Sequence, residues 1–152
     1  MAQQRVMHSF SPARTRRIAK IFAQTLCDVP RRRAAIIFLQ GNLGAGKTTF
    51  VRGFLSAYGI NPHGASPTFV LMKHYPVRQK GACVSDVYHI DAYRLSSEQD
   101  VKALRLGDAF RDPRVVVLVE WPEKVAGRTL RATHRVRFSY GARSTERLLS
   151  FS

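Results

Sequence analysis

Ala35-Ile36-Ile37-Phe38-Leu39-Gln40 runs directly into Gly41-Asn42-Leu43-Gly44-Ala45-Gly46-Lys47-Thr48. The first six residues form a short apolar, β-branched run of the kind that makes a buried strand. The next eight match G-x-x-x-x-G-K-[ST] at every fixed position. Glycines let the backbone curl so that successive N–H groups point inward as an anion nest. Residues 48–58 then carry helical spacing, with Gly59 placed to cap the C-terminus. A helix starting there directs its N-terminal partial charge at the same nest. Strand, glycine loop and helix therefore predict a phosphate-binding loop. Lys47 would reach the β- and γ-phosphates of a nucleotide, and Thr48 would put its hydroxyl on magnesium.

Such a site needs a carboxylate at the end of a neighbouring strand. Val115-Val116-Val117-Leu118-Val119-Glu120 is the most apolar run in the chain and ends in an acid, so a central strand should present Glu120 to the metal. Asp91, closing Tyr88-His89-Ile90-Asp91, competes for that position or for orienting the attacking water. Ser66-Pro67-Thr68 follows the loop helix, where a threonine hydroxyl can contact the γ-phosphate; as a tripeptide it is equally a plain turn. A lone strand histidine such as His89 is more often packed or hydrogen-bonded than catalytic. Trp121-Pro122 could pack a loop or face a partner, and the sequence leaves that open.

Further out, Ser11-Pro12 reads as an N-cap with proline at the first helical position. Ile18, Ile21, Phe22 and Leu26 recur at helical spacing, which predicts an amphipathic helix over 12–27. Residues 69–75 and 83–90 are strand-like around a turn. Ser96-Ser97 before Glu98-Gln99-Asp100 predicts a helix running to about Leu106, and residues 135–140 and 147–151 predict two late, hairpin-like strands. Helices mixed with strands imply a three-layer α/β fold with a mixed β-sheet, a P-loop NTPase-like domain spanning residues 1–152.

Composition bounds the rest. With 152 residues and two cysteines, Cys27 and Cys83, the chain can bury roughly 70% of its unfolded surface without disulfides, and both thiols are expected reduced. No run approaches the ~20 apolar residues of a membrane span, so a soluble cytoplasmic protein is expected. Lys plus Arg total 25 against 10 acids, a net charge of +15. Such a surface suits polyanions, an acidic protein partner, or solvent alone. Arg31-Arg32-Arg33 sits in a connector and reads as a solvated loop.

Together these pieces resemble the TsaE (YjeE) family, the ATPase of bacterial tRNA threonylcarbamoyladenosine synthesis. The resemblance rests on Gly41 to Phe50 followed by Arg52-Gly53, on Ser66-Pro67-Thr68-Phe69, on Tyr88-His89-Ile90-Asp91-Ala92-Tyr93-Arg94-Leu95, and on Leu118-Val119-Glu120-Trp121-Pro122-Glu123. It implies a slow, magnesium-dependent ATPase that works with TsaD and TsaB and supports repeated rounds of tRNA modification. The implied nucleotide-binding set is Gly41, Asn42, Leu43, Gly44, Ala45, Gly46, Lys47, Thr48 and Thr49. Thr48 and Glu120 would hold magnesium, Lys47 would hold phosphate, Thr68 would sense the γ-phosphate, and Asp91 would support hydrolysis or the partner contact. Near the base, the segment around Phe10 and Thr15 would close over the ring. The chain departs from the family where Asn42 replaces the usual Asp, and over residues 78–81. Direct tRNA contact is not implied. Two other readings stand beside this one: a small-molecule P-loop kinase, and a basic nucleic-acid-binding module with structural ATP. The Asn-Lys-x-Asp pattern that reads guanine is absent, so ATP is the expected nucleotide.

Overall fold

The computed structural model describes residues 5–62, 70–125 and 130–152. In chain order its elements are β1 (Arg5–Ser9), α1 (Pro12–Thr25), β2 (Ala35–Gln40), α2 (Lys47–Ser56), β3 (Met72–Pro76), β4 (Asp86–Asp91), α3 (Glu98–Ala103), β5 (Val115–Glu120), β6 (His134–Tyr140) and β7 (Arg147–Phe151). The strands form one seven-stranded sheet in the order β1-β7-β6-β2-β5-β4-β3. β2 lies parallel to both β5 and β6, and β4 lies parallel to β5. The three outer pairings, β1–β7, β6–β7 and β3–β4, are antiparallel. The sheet is therefore mixed, as the alternation of helices and late strands predicts.

Both faces of the central strands are covered, which is why β2 and β5 are apolar at nearly every position. Ile37, Leu39, Val116, Leu118, Val136 and Phe138 share one core with α1 and α2. On the other face Phe38, Ile90, Val117 and Val119 pack with Leu95, Val101 and Leu106 around α3. These are the three layers. α1 begins as its sequence dictates: the Ser11 side chain accepts from the Arg14 N–H at 3.2 Å, with Pro12 opening the helix. α3 opens with a reciprocal capping box between Ser97 and Asp100. α1 and α2 approach so closely that a methyl group on Gly53 would overlap the backbone of Arg16. Glycine is required at that crossing. Among the described residues no helix is long and apolar enough to cross a membrane.

Several boundaries differ from the sequence reading, for physical reasons. α1 stops at Thr25 and α2 at Ser56. Beyond α2, Ile60 N–H reaches back to the Leu55 carbonyl around Gly59, at φ 70°. α3 stops at Ala103, before Arg105 takes a positive φ of 51°. β3 starts later, at Met72, and includes Pro76 because it lies on the sheet edge, where a missing N–H costs nothing. β4 starts at Asp86 rather than Cys83. β1 carries no strand signal of its own: Arg5-Val6-Met7-His8-Ser9 has little apolar content and becomes a strand because the edge of β7 supplies its partner.

The expectation of two reduced cysteines is corrected. Cys27, just past α1, is joined to Cys83, ahead of β4, by a disulfide across 56 positions, with Cα atoms 5.7 Å apart. Cys83 packs against the core beneath α1 and α2, which brings together two residues with no local spacing signal.

Tyr58, past the end of α2, is buried and donates its hydroxyl proton to the Ala23 carbonyl at 2.9 Å. Burial pushes its pKa up to about 12, slightly opposed by Arg31. The folded state thus holds this proton more tightly than the unfolded chain, whose tyrosine titrates near 10.0. The stabilisation is complete below pH 10 and is lost as pH rises toward 12. Tyr58→Phe should cost about 1 kcal/mol at neutral pH. Urea melts at rising pH should show the wild type losing its advantage over the variant in that window. A gap that stays constant would refute the assignment.

Candidate nucleotide-binding site

The register of the sheet builds the site. β2 and β5 run parallel with Leu39 opposite Glu120, while β4 and β5 pair Asp91 with Glu120. The carboxyl ends of three adjacent strands therefore deliver the glycine loop, Glu120 and Asp91 to one edge, where ligands of parallel sheets bind. Gly41 leaves β2 at φ 152°, and Gly44 and Gly46 stand at φ 75° and 106°. A Cβ on Gly41 would lie 2.7 Å from the Phe138 carbonyl oxygen, so the loop needs glycine there simply to pass β6. Tyr140 of β6 donates its hydroxyl to the Leu43 carbonyl at 2.8 Å and ties down the loop's tip.

Lys47 opens α2 and is buried. Its Nζ donates to the Gly41 carbonyl and, at 3.0 Å, to that of Asn42. It also lies 3.9 Å from the centre of the Trp121 ring, a cation–π contact. Burial lowers its pKa below the ordinary 10.5, opposed by the charges of Glu120, Glu123 and Asp91. Beside it, the Thr48 hydroxyl donates to Glu120 Oε1 at 3.4 Å, and His89 Nε2 stands 2.9 Å from the same oxygen. His89 is fully buried, and among the described residues its Nδ1 has no partner; with Nε2–H donating, the ring fixes Glu120 from behind.

Two recesses meet at the loop. One, about 180 Å³, is lined by Gly44, Gly46, Lys47, Thr48, Glu120 and Trp121. The other, about 330 Å³, shares Gly44, Gly46 and Thr49 and continues to Phe10, Thr15 and Arg147. A small polar recess on the glycine loop joined to a larger, partly aromatic one is the shape of a nucleotide.

The sequence model of the family described as "Threonylcarbamoyl adenosine biosynthesis protein TsaE" matches residues 9–148. The chain belongs to the TsaE family. Relatives named tRNA threonylcarbamoyladenosine biosynthesis protein TsaE include that of Haemophilus influenzae, 35% identical over 111 residues, which are 73% of this chain and 66% of the relative. The Bacillus subtilis protein of that name is 36% identical over 111 residues, 73% of this chain and 62% of its own length. That of Rickettsia prowazekii is 34% identical over 119 residues, 77% of this chain and 74% of its own. The chain thus spans a little under two thirds of the first two relatives. The crystal structure of B. subtilis YdiB superposes with a TM-score of 0.71 at 28% identity, covering 99% of this chain and 86% of that one.

Of the residues singled out from sequence, the structure gathers Gly41 to Thr49, Lys47, Thr48, Glu120 and Asp91 at one edge of the sheet. Asp91 also has a local task, since its Oδ1 accepts from the Tyr93 N–H at 3.1 Å. Thr68, with Ser66 and Pro67, lies outside the described residues. Sequence reasoning undervalued two residues. His89 alternates with the strand's other side chains, and only the β4–β5 register shows that it backs Glu120. Trp121 sits at φ 56°, a left-handed conformation rare for a bulky residue. That turn lays its ring over Lys47 and edge-on to Tyr93, 5.3 Å away. Its signal was its place directly after the strand-ending acid.

The lowered Lys47 pKa has a consequence for stability. Between the lowered value and 10.5 the unfolded chain binds more protons than the folded one, so stability rises with pH in that window. Urea melts through the alkaline range up to pH 10.5 should show the wild type gaining on Lys47→Met as pH rises. Parallel curves for the two proteins would show that Lys47 titrates normally in the fold.

Proposed function

We propose that this TsaE-family chain binds ATP with magnesium, hydrolyses it, and in the cytoplasm supports tRNA threonylcarbamoyladenosine modification together with TsaD and TsaB. The observation that carries the reading is the meeting of the Thr48 hydroxyl and the Glu120 carboxylate, 3.4 Å apart at the mouth of the glycine loop. A hydroxyl and a carboxylate are hard oxygen donors of the kind magnesium prefers, so Thr48 and Glu120 would hold the ion. When bound, the ion would neutralise charge on the β- and γ-phosphates.

The remaining work falls to the chain. The loop amides and the α2 N-terminus bind the phosphates, and Lys47 exchanges its loop carbonyls for phosphate oxygens, adding a positive charge where negative charge develops. Asp91, paired with Glu120 across the neighbouring strand, would orient the attacking water. Water's oxygen bonds to the γ-phosphorus as the bond to the bridging oxygen breaks, leaving ADP and phosphate. The base lies in the recess edged by Phe10, Thr15 and Arg147, with the half-exposed Phe10 ring available to stack on it. His89 holds Glu120 in the orientation the metal needs.

Lys47→Ala should abolish ATP binding, and Phe10→Ala should weaken it by about 1–3 kcal/mol, the usual worth of a stacked base. His89→Leu should lower magnesium affinity about 10- to 100-fold, as loss of a ligand's supporting hydrogen bond does, whereas His89→Gln, which keeps a donor, should recover part of it. Magnesium titrations of nucleotide binding separate these outcomes, and unchanged magnesium affinity in both His89 variants would remove the supporting role. The function itself is tested by multiple-turnover tRNA modification with purified TsaB, TsaD and the threonylcarbamoyl donor. Repeated rounds that consume ATP with this chain, and stop with Lys47→Ala, are expected. Turnover unaffected by adding the chain would overturn the reading.

A further inference from the structure

The excess positive charge is not evenly placed. Eight of the ten carboxylates lie within residues 86–123, and the other two are Asp28 and Glu146. α1 and α2, which cover one face of the sheet, contain none. Their outward side carries Arg14, Arg16, Arg17, Lys20 and Arg52, all exposed. Among the described residues none of these five forms an ion pair with a carboxylate. Where α1 crosses α2, an open groove of about 620 Å³ is lined by Arg16 of α1, by Arg52 and Ser56 of α2, and by Gly59, Ile60, Asn61 and Pro62 just past the end of α2.

Two guanidiniums facing one groove without a counter-charge repel each other unless solvent or an anion separates them. Phosphate and carboxylate are the anions whose oxygens match the planar guanidinium fork. The surroundings distinguish between polyanions. A protein interface draws its strength from a desolvated apolar or aromatic centre, yet on these two helices Ile21 is the large hydrophobic left exposed. A surface of five cations with almost no apolar anchor instead fits a phosphate backbone, whose binding is driven by release of condensed counterions. We propose that the outer face of α1 and α2 binds the RNA backbone, with a phosphate seated in the groove between Arg16 and Arg52. This surface is separate from the nucleotide recesses, and the proposal stands or falls independently of ATP hydrolysis.

The test is fluorescence anisotropy with a labelled, unmodified tRNA transcript and the full chain alone, over a range of salt concentrations. Arg16→Gln combined with Arg52→Gln removes two charges from the helical face. Arg135→Gln combined with Arg137→Gln removes two from the other face, because these residues alternate along β6 with Val136 and Phe138, which are buried beneath α1 and α2. The helical pair should weaken binding about tenfold or more at ~0.1 M salt and flatten the slope of log affinity against log salt by about two. The β6 pair should change affinity less than about threefold and leave the slope within about half a unit of wild type. Thermal melts confirm folding, and Arg17→Gln with Lys20→Gln gives a second variant of the same face, expected to lower affinity and slope in the same sense. Equal losses from both faces would reduce the effect to general basicity and overturn the site. So would no detectable binding by the wild type. Polyglutamate of matched charge, bound as tightly and lost in the same variant, would overturn RNA in favour of an acidic protein.

Discussion

The parallel register of β2 against β5 is the constraint on which the rest depends. Leu39 stands opposite Glu120, so the chain turns into the glycine loop at the level where the neighbouring strand ends in its acid. A slip of one residue would exchange the two faces of β5. Val117 and Val119 would then meet α1 and α2, and Glu120 would turn away from Thr48. Both faces of β5 are buried against different layers, so such a slip would disturb two cores at once. The hydrophobic layers thereby fix a polar distance, and the spacing of Thr48 and Glu120 at the sheet edge inherits its accuracy from packing far below it.

The strained turn at Trp121 extends the same logic. Immediately after Glu120 the chain adopts a left-handed conformation, which costs about 1–3 kcal/mol for a residue with a side chain. It persists because the indole is held between Lys47 and Tyr93. The acid and the ring that covers the lysine are consecutive in sequence, so movement of one moves the other.

What could be read from the sequence was what is local. The glycine loop, β2, β5 and the β6–β7 hairpin each declare themselves within a few residues, through β-branched runs and glycines whose φ values the loop requires. Glu120 was legible because an acid ending the most apolar strand has few structural uses. What stayed hidden was non-local. β1 owes its strand to the free edge of β7, the pairing of Cys27 with Cys83 arises from α1 packing over the segment ahead of β4, and His89 supports Glu120 only once β4 and β5 are in register. The segregation of charge onto α1 and α2 could be counted in the sequence, but the groove between Arg16 and Arg52 exists only because Gly53 lets the two helices come together.

The Cys27–Cys83 bond gives the molecule a topology as well as a contact. It closes a covalent ring spanning 56 positions, and that ring contains β2, the glycine loop, α2 and β3. A single peptide cleavage anywhere inside it leaves both halves on one molecule, so a nicked chain would migrate as intact until its thiols are reduced.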